Sequence, residues 1–190
     1  MKKLLALVLS VVMVMSLAAC GSKGSSNGSQ SEITDSPVEV LTKVWETYGE
    51  DEKFFAMGGD YSNIVDNAPG AFDITDAEGL DAMLGYPQAS VAMIDSAASL
   101  LHAMNANTFT AGAYNVTETD EIAMLISDIE ENISSRQWIC GFPDTLVVIQ
   151  VGKNVVVTAF GEAGIIENFK TKVLEVYEGA EVSVEKSLVE

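Results

Sequence analysis

Histidine occurs once in these 190 residues and cysteine twice, and the ten Lys and Arg residues are outnumbered by 28 Asp and Glu. Each shortage removes a class of chemistry. The single histidine, His102, cannot build a zinc centre on two or three imidazoles. The scarcity of positive charge excludes nucleic acid as a partner, because binding there requires a basic footprint that neutralises phosphates. No G-x-S-x-G elbow and no phosphate-binding P-loop occurs anywhere in the chain. Long apolar runs are also missing. The longest, from Leu4 to Leu17, is interrupted by Ser10 and Ser16 and falls short of the roughly 20 residues a spanning helix needs.

That run is nevertheless informative. It follows Met1-Lys2-Lys3 and is succeeded by Ala18-Ala19-Cys20-Gly21, the layout of a secretory signal: positive start, apolar core, small residues at the cut. The order Leu17-Ala18-Ala19-Cys20 resembles the lipobox of bacterial lipoprotein precursors at all four positions. The resemblance implies a signal peptide over 1–19, cleavage before Cys20 and a diacylglycerol thioether on Cys20. Two acyl chains give a stable anchor where one gives only marginal binding. The expected location is the cell membrane, facing the extracytoplasmic side.

Residues 20–36 continue as GSKGSSNGSQSEITDS after the cysteine. This composition buries too little apolar surface to offset its ordering entropy, so a flexible tether is expected, with a mean reach of about 22 Å. Without the signal peptide, eight basic residues face 28 acidic ones, a formal charge of −20. Such a charge opposes docking on anionic headgroups within the screening length of about 8 Å. The lipid alone is then the membrane contact.

Residues 37–190 have the usual length of one domain. At that length a chain buries about 68–70% of its unfolded surface and needs no disulfide staples. A helix is expected over 37–48, with Ser36 as N-cap, Pro37 at the first turn and Val40, Leu41, Val44, Trp45 and Tyr48 on its buried face. Residues 50–76 are turn-rich and give no clear element. Asp76 opens a short helix over 77–84. Residues 88–108 fit a helix or a strand equally well, whereas 109–116 alternate as a strand. A helix capped by Thr117 or Thr119 and running to about Trp138 carries Ile122, Leu125, Ile126, Ile129 and Ile133 on one stripe. Thr145–Val151 and Val155–Phe160 form a hairpin around Gly152-Lys153-Asn154. A last amphipathic helix ends at Gly179, and the acidic final ten residues are expected to fray. The fold class is α+β: an antiparallel sheet with helices packed on one face, its C-terminal half ordered β-α-β-β-α. This layout resembles small uncharacterised lipoproteins of Gram-positive bacteria over about residues 80–178, a likeness that implies no catalytic residues.

The candidate chemistry is sparse. Cys140 is the one free thiol once Cys20 is lipidated. It sits at the expected C-terminal end of a helix, in the apolar setting Trp138-Ile139-Cys140-Gly141-Phe142, where nothing depresses a thiol pKa. A buried, inert cysteine is expected. Asp73, Asp76 and Glu78 are the candidate ligands for a calcium ion, although their spacing does not match a D-x-[DN]-x-[DN]-G loop. Gly161-Glu162-Ala163-Gly164 stands between strand and helix, where phosphate can be cradled, but Glu162 would repel it. Met57, Met83, Met93 and Met104 lie among Phe54, Phe55, Tyr61 and Phe72, a composition suited to an adaptable binding face or to simple core filling. No cofactor is implied. The sequence is best read as a non-enzymatic, lipid-anchored module that binds a protein or small ligand at the cell envelope. The alternatives are an envelope-acting enzyme using carboxylates and, less favoured, a small solute-binding component.

Overall fold

The computed structural model describes residues 31–138 and 141–189, so Cys20 and Cys140 lie outside the described residues. At the centre of the fold, β6 (Thr145–Val151) and β7 (Val155–Gly161) are apolar at almost every position. Side chains alternate across a strand, so both faces of these strands must be covered. Val147, Ile149 and Val151 enter one core, and Leu146 and Val148 enter another on the opposite side. Helices consequently pack on both faces of the sheet rather than on one.

The remaining elements divide between the two cores. On the first face lie α1 (Pro37–Glu46), through Val40, Leu41, Val44 and Trp45, and α4 (Ala163–Val176), through Ile166, Phe169 and Val173. On the second lie α2 (Ala77–Leu84) and α3 (Ile122–Ser134). The expected stripe Ile122, Leu125, Ile126, Ile129 and Ile133 is the buried face of α3. That helix stops at Ser134, and neither Thr117 nor Thr119 caps it; a 3-10 turn at Thr119–Glu121 leads into it instead. Helix α1 has its expected cap: the Ser36 hydroxyl accepts the Glu39 N–H while the Glu39 carboxylate accepts the Ser36 N–H. Such reciprocal capping satisfies two otherwise orphaned donors.

The sheet is antiparallel throughout and adds β1 (Ala56–Asp60), β2 (Asn63–Asp66), β3 (Gly70–Phe72), β4 (Ile94–His102), β5 (Phe109–Val116) and β8 (Glu181–Ser187). Its order is β2-β1-β4-β5-β7-β6-β8, with β3 also paired to β4. The fold class is α+β, and the C-terminal half runs β5-α3-β6-β7-α4 as expected. The turn-rich segment 50–76 supplies the three short strands, and the ambiguous segment 88–108 resolves into a 3-10 turn at Gln88–Met93 followed by β4. The acidic C-terminus does not fray. It forms edge strand β8 on β6, where Lys186 and Glu185 reach Glu130 and Lys170. A charged edge of this kind resists pairing with other chains.

The folded unit also begins before Pro37. The Asn154 side chain accepts the Ile33 N–H at 2.7 Å and donates to the Ile33 carbonyl at 2.9 Å. The Lys153 N–H donates to the Ser31 carbonyl. Residues 31–35 therefore lie as a strap across the β6–β7 turn, although their polar composition read as tether. The deciding residue, Asn154, is 121 positions away in sequence.

Candidate binding cleft

The β4–β5 turn begins at His102, whose Nδ1 accepts the N–H groups of both Met104 and Asn105 at 3.2 Å. An acceptor nitrogen carries no proton, so in this arrangement it is Nε2 that bears the ring N–H. The imidazole also stacks on Phe54, with centroids 5.3 Å apart. His102 thus shapes a turn, and its Nδ1 lone pair is not free for base chemistry or metal ligation.

This turn forms one wall of a cleft of about 250 Å³. Strand β1 supplies Met57, which stands opposite Leu101 of β4 and packs at the edge of the second core. Helix α2 supplies Ala82 and Met83, the turn supplies Met104, and Tyr61 leans in from the β1–β2 turn. Three of the four methionines singled out in the sequence meet here. The fourth, Met93, is buried in the second core together with Phe72. Phe54 joins Trp45, Phe109 and His102 in an aromatic stack. Around the cleft, Phe55, Tyr61, Ile64 and Met104 are more than half exposed, and Met104 reaches 78%.

Backbone contact holds β1 in place. Cβ atoms added at Gly58 and Gly70 would fall 2.3 Å from the Gly70 nitrogen and 2.5 Å from the Gly59 nitrogen. Only glycines permit the two segments to lie so close. Asp60 closes the β1–β2 turn: its carboxylate accepts N–H groups from Ser62, Asn63 and Asp73. Burial pushes its pKa up, but these donors outweigh burial and hold it below the ordinary aspartate value.

Two of the three expected ligands for calcium are otherwise engaged. Asp73 accepts the N–H and hydroxyl of Thr75, and Asp76 caps α2 by accepting the Gly79 N–H. Glu78 is exposed. No group of three His, Cys, Asp or Glu side chains able to hold a metal gathers among the described residues. At the strand-to-helix turn before α4, the Ala163 N–H donates to the Asp144 carboxylate, so the position where an anion would sit is filled by the protein itself.

Two further grooves run along α3, of about 390 and 340 Å³. Their walls are Ser127, Glu130, Glu131, Asp128, Asn132 and similar polar side chains. Size alone would favour them, but water already satisfies such walls, and expelling it gains little. The methionine cleft offers more apolar surface to bury than either groove. Nor do the shifted carboxylates among the described residues point to a proton donor: Asp35, Glu39, Glu52, Asp60, Asp81 and Asp95 are all displaced downward. For Asp81, hydrogen bonds from Asn132 and Gln88 and the charge of Arg136 overcome the upward pull of burial.

No family model, no curated protein and no solved structure matches this chain. No helix among the described residues is long and apolar enough to cross a membrane. Sequence reasoning had missed Ala82, Ala103, Asn105 and Ala106 as cleft walls. The methionine spacing was the available signal, and it lacked only the strand pairing that brings Met57 beside Leu101.

Proposed function

We propose that this protein is a lipid-anchored, non-enzymatic binding module on the extracytoplasmic face of the membrane, and that the methionine cleft receives an apolar side chain of a protein partner. The cleft itself carries the reading. Its 250 Å³ falls below the roughly 300–1,000 Å³ typical of small-molecule sites, yet it accommodates one or two side chains. Thioethers adapt to such guests, and the exposed Phe55, Ile64 and Tyr61 extend the apolar area around it.

The strap supports a particular orientation. Ser31 is fixed to the β6–β7 turn, and that turn sits at the end of the sheet where β4 begins, since the Val116 N–H meets the Asn154 carbonyl and Ile94 pairs with Val116. The cleft lies at the end where β4 finishes. The nine residues of β4 separate the two ends by roughly 26 Å at the usual strand rise. With Cys20 in the membrane, the tethered end and the cleft would lie at opposite ends of the sheet.

Both parts are tested in cells. Cys20→Ala is expected to move the protein out of the membrane fraction; full retention would refute the anchor. A photo-crosslinking residue at position 104 is expected to yield a discrete adduct that the same residue at position 174, an exposed site on α4, does not. Equal labelling from both positions would refute the cleft as the docking point.

A further inference from the structure

We propose that the segment received by the cleft is cationic as well as apolar, an inference that rests on the cleft being the docking point. A second depression, of about 310 Å³, adjoins the first and shares two of its walls, Tyr61 and Ala82; its other walls are Asp76, Glu78 and Gly79. On the opposite side, Asp66 stands directly across from Met57 in the β1–β2 ladder, so both side chains share one face. The apolar cleft is thus bordered by carboxylates on two sides.

Among the described residues these carboxylates have no cation of their own. No Lys or Arg lines either depression, and Asp66 and Glu78 form no ion pair among the described residues, whereas every described Lys and Arg is already in one. The negative charge beside the cleft is left for an external partner to neutralise. Tyr61, 68% exposed at the junction of the two depressions, can place its ring face against a cation while its body covers an apolar neighbour. The chemistry that fits both depressions at once is a peptide segment with basic and large apolar side chains a few residues apart. Such complementary charge adds discrimination and association rate to the affinity supplied by the buried group.

The test uses the full-length chain, immobilised through a C-terminal tag at physiological ionic strength, with three synthetic 14-residue probes: Lys/Leu, Glu/Leu and Lys/Ser peptides of identical spacing. The Lys/Leu peptide is expected to bind at least tenfold more tightly than either of the others. Met104→Gln and Glu78→Lys, both at exposed positions, are each expected to weaken it at least fivefold, while Glu175→Lys on the far face leaves it unchanged. Equal binding of Lys/Leu and Glu/Leu, both weakened by Met104→Gln, would overturn the cationic partner and leave the cleft standing. Equal binding of Lys/Ser and Lys/Leu, or equal effects of Glu78→Lys and Glu175→Lys, would reduce the interaction to net charge and overturn the inference. Absence of binding by all three probes would overturn it together with the docking role of the cleft.

Discussion

Replacing Asn154 by alanine tests whether the strap is part of the fold. The side chain is only 6% exposed and makes three hydrogen bonds: from the Ile33 N–H, to the Ile33 carbonyl and to the Asn115 side-chain oxygen. At about 0.5–1.5 kcal/mol net for each, their removal amounts to about 3 kcal/mol. The strap can respond by peeling away, which returns the freed groups to water, so the loss of global stability is expected to be smaller, on the order of 1–2 kcal/mol. The local effect comes from the two bonds to Ile33, about 2 kcal/mol. At 1.4 kcal/mol per factor of ten, amide exchange at Ile33 is expected to rise by about 30-fold, read by hydrogen exchange with residue resolution. Lys153→Ala serves as the control, because it removes only an exposed pair with Glu32, worth about 0–1 kcal/mol. If Ile33 exchanges as fast in the parent protein as in Asn154→Ala, the strap is tether after all and the orientation argument built on it fails.

Two more outcomes follow from local geometry, and a third, on Cys140, from the sequence. Gly112→Ala places a Cβ 2.2 Å from the hydroxyl of the fully buried Tyr114; overpacking of this kind costs about 1–3 kcal/mol, and denaturant titration should show a smaller cost in a Tyr114→Phe background. The folded-state pKa values of Asp60 and Asp81 lie below their ordinary values, so their stabilising contribution is complete above about pH 4 and is lost as pH falls through the lowered values. Asp60→Ala should therefore reduce stability at pH 7 by on the order of 2 kcal/mol and flatten the acid limb of the stability–pH curve; an unchanged acid limb would contradict the assignment. Cys140 is expected to resist thiol reagents in the native protein and react on denaturation, and rapid native labelling would reopen it as a nucleophile.

What could be read from the sequence was what short-range physics decides. Capping by Ser36 with Glu39, the start of α2 at Asp76 and the buried stripe of α3 each depend on residues three or four positions apart, and all three were legible. The two faces of the sheet were not. Val147 and Val148 look identical in sequence, and only the presence of α1 and α4 on one side and α2 and α3 on the other shows that both faces are buried. The strands in 56–72 were hidden for a different reason: their pairing depends on close backbone approach at Gly58, Gly59 and Gly70, and glycine signals turns more readily than strands. The C-terminal strand was concealed by its charges, which suit an exposed edge as well as a solvated tail.

The cleft joins both kinds of hidden information. Met57, Met83 and Met104 reach it from a strand, a helix and a turn, so no periodicity relates them. Their convergence is a product of the β1–β4 pairing and of α2 packing on the second face. The same pairing sets Asp66 beside Met57 and leaves the outer edge of β2 without a neighbour in the sheet. The opposite edge, β8, is guarded by the ion pairs of Lys186 and Glu185, whereas β2 carries exposed Ile64 and Val65. If solubility alone governed both edges, both should be charged in this way. On β8 the exposed apolar residue is Val182 at 37%, against Ile64 at 57% and Val65 at 38% on β2, and the proposed partner, by covering the cleft and the β2 edge together, would bury the larger share.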